Sequence, residues 1–150
     1  MDQRDSSENE IPLIHTVLVV DDAGVVRRLT FRVLSESGFR VFEAAGAVEA
    51  LEVLSMLHGR VDVVLVDVVM PEVNGIDLVR MIRERWSGPN VLFMSAYPAE
   101  VLAREGLRDL RVQFLAKPFT RDELLRAVHR AMQFGPAPIE QKQANKRMDG

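Results

Sequence analysis

From residue 16 onward the chain alternates short β-branched apolar runs with longer segments of helical spacing, and few architectures accept that pattern. The strand-like runs are Thr16–Val20, Arg40–Glu43, Val61–Val66, Asn90–Ser95 and Val112–Ala116. The helical segments are Val25–Ser37, Gly46–Leu57, Gly75–Trp86, Ala99–Arg104 and Arg121–Phe134. In Val25–Ser37, apolar Val26, Leu29, Phe31, Val33 and Leu34 recur at helical spacing among arginines; in Arg121–Phe134, Leu124, Leu125, Val128, Ala131 and Met132 form a stripe. Gly38 and Gly59 stand where the first two helices must stop. The run Val63-Val64-Leu65-Val66 does not alternate with polar residues, so both its faces must be covered. Five strands, each followed by a helix, predict an α/β fold: a five-stranded parallel sheet with helices on both faces.

The pattern holds over residues 13–133, a single domain's worth of a 150-residue chain. Residues 1–12, polar and acidic, are expected to form a disordered arm, and residues 134–150, opened by Gly135-Pro136-Ala137-Pro138, a flexible tail. A hydrophobic content of 47% supplies one core and excludes a wholly disordered chain. The formal charge is −3, and the first ten residues hold four acids against one arginine, so the remainder is formally neutral. No basic surplus marks a nucleic-acid binder, and the Lys142, Lys146, Arg147 tail reads as a solvated end. The absence of cysteine excludes disulfides, thiolate metal sites and cysteine nucleophiles. No apolar run is long enough to span a bilayer and no leader-like segment opens the chain, so a cytoplasmic protein without membrane association is expected.

In open α/β sheets, ligands bind beyond the carboxyl ends of the strands. Asp21-Asp22 follow the first strand and Asp67 the third; Ser95 ends the fourth, and the fifth runs into Lys117-Pro118. Three carboxylates gathered at one edge repel one another and need a cation to stay ionised. Oxygen ligands without sulfur favour a hard ion, most simply Mg²⁺. A carboxylate beside Mg²⁺ can attack phosphorus, with the ammonium and hydroxyl holding the remaining oxygens. Asp67 lies within an apolar stretch, where an unpaired carboxylate would be costly without a task. His15, His58 and His129 share no ligand spacing; Trp86 and the methionines read as core or surface filler, and Asn74-Gly75 as a turn.

The stretches Val17-Leu-Val-Val-Asp-Asp22, Val63-Val-Leu-Val-Asp-Val-Val-Met-Pro71, Asn74-Gly75, Val91-Leu-Phe-Met-Ser-Ala96 and Phe114-Leu-Ala-Lys-Pro-Phe119, in this order, resemble the response-regulator receiver domain of two-component signalling. The resemblance covers residues 14–133 and implies the (βα)5 flavodoxin-like fold. It implies that Asp67 is the phosphoacceptor and that Asp22, Asp21, Asp67 and the Val69 carbonyl serve Mg²⁺, Asp21 through water. It assigns Ser95 and Lys117 to the phosphoryl oxygens, makes the Lys117–Pro118 peptide cis, and gives Phe114 the place of the switch aromatic. Val69 and Tyr97 stand at the positions that flank the path of hydrolytic water. The implied donor is a histidine kinase or histidine phosphotransfer protein. The implied output is contact with a downstream protein, with homodimerisation through the fourth helix, fifth strand and fifth helix. The 17 residues after residue 133 hold no output domain, so the chain is expected to be a single-domain regulator or the receiver part of a larger protein. Asp-Val-Val-Met-Pro and Phe-Leu-Ala-Lys-Pro-Phe-Thr resemble receivers of hybrid histidine kinases more than those of DNA-binding regulators. Two features depart from the family: Ala23-Gly24 opens the first helix without Ser or Pro, and Gly106 shortens the fourth.

The rival class is a Mg²⁺-dependent phosphatase that also passes through an aspartyl phosphate. Such enzymes place an acid two residues after the nucleophile; here that residue is Val69, which transfers no proton. A switch, not an enzyme beyond slow loss of its own phosphoryl group, is therefore expected. A flavin protein fits less well, because no Ser/Thr/Gly-rich phosphate loop follows the first strand.

Overall fold

The computed structural model describes residues 13–97 and 112–133. The expected arm (1–12), the tail (134–150) and the helix expected at Ala99–Arg104 lie outside the described residues. The described elements are β1 (Thr16–Val20), α1 (Gly24–Glu36), β2 (Arg40–Ala44), α2 (Ala47–Met56), β3 (Val63–Asp67), α3 (Gly75–Arg85), β4 (Asn90–Ser95), β5 (Gln113–Ala116) and α4 (Arg121–Gln133).

The strands form one parallel sheet in the order β2-β1-β3-β4-β5. Alternate side chains of each strand enter opposite cores. Leu18, Val20, Val64, Val66, Val91 and Phe93 meet Ala50 and Leu54 of α2 and Leu78, Val79 and Ile82 of α3. Val17, Val19, Val63, Leu65, Leu92 and Met94 meet Leu34 of α1 and Leu124, Val128 and Ala131 of α4. Each such side chain contributes about 1.5–3 kcal/mol on burial, which explains why β1 and β3, buried along their whole length, carry almost unbroken apolar sequence.

The helix ends follow local chemistry. Gly38 (φ 96°) and Gly59 (φ 72°) take left-handed conformations after α1 and α2. Asn74 caps α3 by accepting from the Asp77 N–H at 2.9 Å. Thr120 and Glu123 cap α4 reciprocally: Thr120 Oγ1 accepts from the Glu123 N–H at 3.1 Å, and Glu123 Oε1 from the Thr120 N–H at 2.9 Å. β3 starts two residues later than expected and includes Asp67, which still pairs with Met94. Val61 and Asp62 stay outside the strand, with the Asp62 carboxylate accepting the Thr16 N–H at 2.7 Å. The remaining elements differ from expectation by one residue at an end or not at all.

Candidate functional site

Chain order reverses between β1 and β3: β2 lies on one side of β1, and β3, β4 and β5 on the other. The crevice this leaves at the carboxyl ends is where such sheets bind ligands. Asp21 stands one residue past β1, and its N–H continues the ladder to the Ala44 carbonyl at 3.1 Å. Asp67 ends β3 and Ser95 ends β4. Lys117 stands one residue past β5, its N–H bonded to the Ser95 carbonyl at 2.9 Å. Parallel pairing thus carries four residues, far apart in sequence, to one edge.

Lys117 Nζ bridges the carboxylates, 3.1 Å from Asp21 Oδ2 and 3.1 Å from Asp67 Oδ2. Asp67 Oδ1 accepts the Val69 N–H at 3.1 Å and Asp21 Oδ1 the Ala23 N–H at 2.9 Å. Asp21 and Asp67 are buried; Asp22 is exposed, and its carboxylate has no hydrogen bond or ion pair among the described residues. Oxygens of Asp21, Asp22 and Asp67 all lie within 4.8 Å of one another. Burial pushes the Asp67 carboxyl above its ordinary value, against the lowering effect of Lys117, and the Asp21 charge adds to the rise. For Lys117, burial pulls the ammonium down, but the hydrogen bond and charge of Asp21, with the charge of Asp67, outweigh it and the net shift is upward.

A divalent cation suits this donor set. Three carboxylates against one ammonium leave two negative charges, and the available ligand atoms are hard oxygens.

Other residues singled out from the sequence fall around this centre. Ser95 is buried, and its Oγ accepts the Tyr97 N–H at 3.0 Å. Val69 and Tyr97 are 73% and 68% exposed, so both side chains stand at the mouth rather than in the core. Phe114 faces inward, its ring 5.6 Å from that of Phe93. The Lys117–Pro118 peptide is cis. The three histidines lie elsewhere: His15 beside Asp62, His58 in the turn after α2, its N–H bonded to the Ser55 carbonyl at 3.1 Å, and His129 with its ring tilted 50° against that of Phe39.

Two further residues, Gly75 and Arg27, shape the site in ways that the sequence pattern does not show. A Cβ on Gly75 would stand 2.3 Å from the Asp67 carbonyl oxygen, so the first residue of α3 packs on the backbone of Asp67. Arg27 reaches back from α1 to donate to the Asp21 carbonyl at 2.8 Å. The sequence signal for Gly75 is its place after Asn74, as a turn and as one of the stretches of the resemblance; nothing in the sequence distinguishes Arg27 from the other arginines of its helix.

The family model of the response regulator receiver domain matches residues 17–129. The chain belongs to this family. It is 42% identical over 113 residues to the sensor kinase CckA of Brucella abortus, covering 75% of this chain and 12% of that one. It is 36% identical to the regulatory protein AtoC of Escherichia coli, covering 80% of this chain and 26% of that one. The chemotaxis protein CheY of Bacillus subtilis is 27% identical over 80% of this chain and 99% of its own. The chain therefore spans a minor part of the first two relatives and nearly all of the third. Among solved structures, chemotaxis protein CheY4 of Vibrio cholerae superposes with a TM-score of 0.72 at 28% identity, covering 79% of this chain and 99% of that one. The receiver domain of the hybrid histidine kinase CckA gives 0.66 at 31%, covering 78% of this chain and 98% of that one. Receiver domains take phosphate from histidine kinases and typically bind Mg²⁺ in an acidic pocket; the acidic pocket here is the Asp21, Asp22, Asp67 cluster. No helix among the described residues is long and apolar enough to cross a membrane.

Proposed function

We propose that this receiver domain is a phosphorylation-dependent switch whose acceptor is Asp67. The observation that carries this is the Lys117 ammonium set between Asp21 and Asp67 at 3.1 Å from each, beside the exposed Asp22 carboxylate. Asp21, Asp22, Asp67 and the Val69 carbonyl would hold Mg²⁺, which when bound would neutralise the phosphoryl oxygens. The Asp67 carboxylate attacks the phosphorus of a phosphohistidine; the O–P bond forms as the N–P bond breaks, and the imidazole leaves. Lys117 favours the ionised form of Asp67 against its burial and then turns to a phosphoryl oxygen. Ser95 releases the Tyr97 N–H to take another, and Phe114 follows into the space Ser95 vacates. Val69 and Tyr97 shield the phosphorus from in-line water.

The donor is a histidine kinase or phosphotransfer protein. It docks over an apolar groove of about 550 Å³ beside Lys117, lined by Val26 and Leu29 of α1 and by Pro118, Phe119 and Leu124. The output is contact with a downstream protein, including homodimerisation through the face that contains β5 and α4. The organisation proposed is a receiver over residues 13–133, preceded by a polar arm over 1–12 and followed by a polar segment over 134–150, in the cytoplasm.

The test is incubation with phosphoramidate and Mg²⁺ followed by intact mass. A single persistent phosphoryl group on the wild type and none on Asp67→Asn is expected. Stoichiometric labelling of Asp67→Asn would refute the assignment; multiple turnover of the donor would make the protein a phosphatase.

A further inference from the structure

The Asp21–Asp22 loop is held by more than its own turn. Arg27 Nη1 donates to the Asp21 carbonyl at 2.8 Å while its Nε donates to Glu43 Oε1 at 3.2 Å. Arg28 Nη1 holds the other oxygen of Glu43 at 3.1 Å. Arg27 and Glu43 are only 19% and 18% exposed, so this pairing is shielded and fixed, unlike a solvated surface ion pair. A guanidinium offers several donors in a rigid plane, so one side chain can bond a carbonyl and a carboxylate at once.

The atom Arg27 holds matters. The Asp21 carbonyl belongs to the planar peptide that leads into Asp22. The same residue's N–H is tied to the Ala44 carbonyl at 3.1 Å, the residue that follows Glu43. Asp21 is therefore clamped at both its peptide groups, and the backbone from which the Asp22 side chain departs is set in direction. Beyond Asp22, the Ala23 N–H donates to Asp21 Oδ1 at 2.9 Å, while the Asp22 carboxylate itself has no hydrogen bond or ion pair among the described residues. α1 itself begins at Gly24 with no side-chain cap and no acid in its first turn, so the loop joins the helix through the Ala23 backbone alone, whose carbonyl accepts the Arg27 N–H at 2.9 Å.

Resting on the function proposed above, we propose that Arg27, aligned by Glu43, is a positioning residue for the cation site: it pre-sets Asp21 and Asp22 to face Asp67 before the cation arrives. Electrostatics alone argues the opposite for Arg27. Its positive charge lies beside a cation site, and removing it should tighten Mg²⁺ binding if charge were its only role. The two roles thus predict opposite signs.

The experiment is a Mg²⁺ titration of the full chain, followed by amide chemical shifts, for the wild type, Arg27→Gln, Arg27→Lys and Arg32→Gln. Groups that orient metal ligands typically change affinity about 10–100-fold when removed; Arg27→Gln is expected to raise the Mg²⁺ Kd roughly tenfold. Arg27→Lys keeps the charge but lacks the rigid planar fork that holds carbonyl and carboxylate in fixed directions, and should raise it at least about threefold. Arg32→Gln removes the same charge from the exposed side of α1 and should leave the Kd unchanged or slightly lower. Hydrogen exchange on metal-free Arg27→Gln should quicken at the Asp21 and Ala23 amides while those of Val64 and Leu65 keep their protection. An unchanged or lower Kd in both Arg27 variants would overturn the positioning role while leaving the phosphoacceptor assignment standing. A wild type that binds no Mg²⁺ and takes no phosphoryl group would instead overturn the function on which it rests.

Discussion

Replacing Gly75 by alanine adds one methyl group where the structure leaves none room. The new Cβ would stand 2.3 Å from the Asp67 carbonyl oxygen, 2.9 Å from Val66 Cγ1 and 3.0 Å from the Asp67 carbonyl carbon. The nearest of these is roughly 1 Å short of an ordinary contact of about 3.5 Å. Neither side yields easily: Asp67 belongs to a strand paired on both sides, and the Gly75 N–H is bonded to the Val68 carbonyl at 2.9 Å. Overpacking of this kind costs about 1–3 kcal/mol, offset in part by the ~0.5–1 kcal/mol that alanine gains over glycine in a helix. A net loss of about 1–2 kcal/mol is expected in urea unfolding. The strain falls on the acceptor's own peptide, so the phosphoramidate labelling rate should drop tenfold or more, since misplacement by about 1 Å can cost a hundredfold. Gly46→Ala is the control, because no atom of the described residues lies within 4 Å of its added carbon. If Gly75→Ala matches the wild type within about 0.5 kcal/mol and labels at the wild-type rate, the contact between α3 and the acceptor backbone is not what fixes Asp67.

Val69→Asn combined with Tyr97→Glu should shorten the phospho-form lifetime about tenfold, equivalent to ~1.4 kcal/mol of barrier; timed dephosphorylation by intact mass checks this, and an unchanged lifetime would show that these side chains do not govern water access. Lys117→Ala should still accept some phosphoryl group but lose the resulting NMR shifts in β5; wild-type shifts there would remove Lys117 from the switch. Hydrogen bonds from the Thr120 backbone and side chain hold Glu123 below its ordinary value, so its contribution to α4 is complete above that value and is lost as pH falls through the depressed one. Glu123→Gln should therefore flatten the acid limb of a stability–pH profile, and an unaltered limb would show that the cap does not titrate.

The centre was legible because parallel strands end at one edge. Once the strands were located, Asp21, Asp22, Asp67, Ser95 and Lys117 had to converge, whatever their distance in sequence. What could not be read depended on contacts that cross elements. Arg27 and Glu43 are 16 residues apart on a helix and a strand, and no periodicity links them. Asp67 was placed after its strand because a carboxylate breaks an apolar run, yet its backbone continues the ladder; composition reports side chains, while strand bounds follow main-chain pairing. Asp62 was drawn into the strand by its neighbours, whereas its carboxylate holds the Thr16 N–H from outside. The Thr120–Glu123 cap was visible as Thr-x-x-Glu ahead of an apolar stripe and passed unread.

The strand order divides the site mechanically. Asp21 and Asp22 follow β1 and Asp67 ends β3, each of these strands flanked by strands on both sides, whereas Lys117 follows β5, a four-residue strand that among the described residues pairs only with β4. Edge elements open at lower free energy than the middle of a sheet. The pocket thus has a stiff floor that carries the acids and a compliant wall that carries the ammonium. Thermal fraying from the β5 side would loosen the ammonium first and leave the acid cluster assembled. Chemistry is thereby anchored where the sheet is least deformable, and the response to it is placed where the sheet yields at least cost.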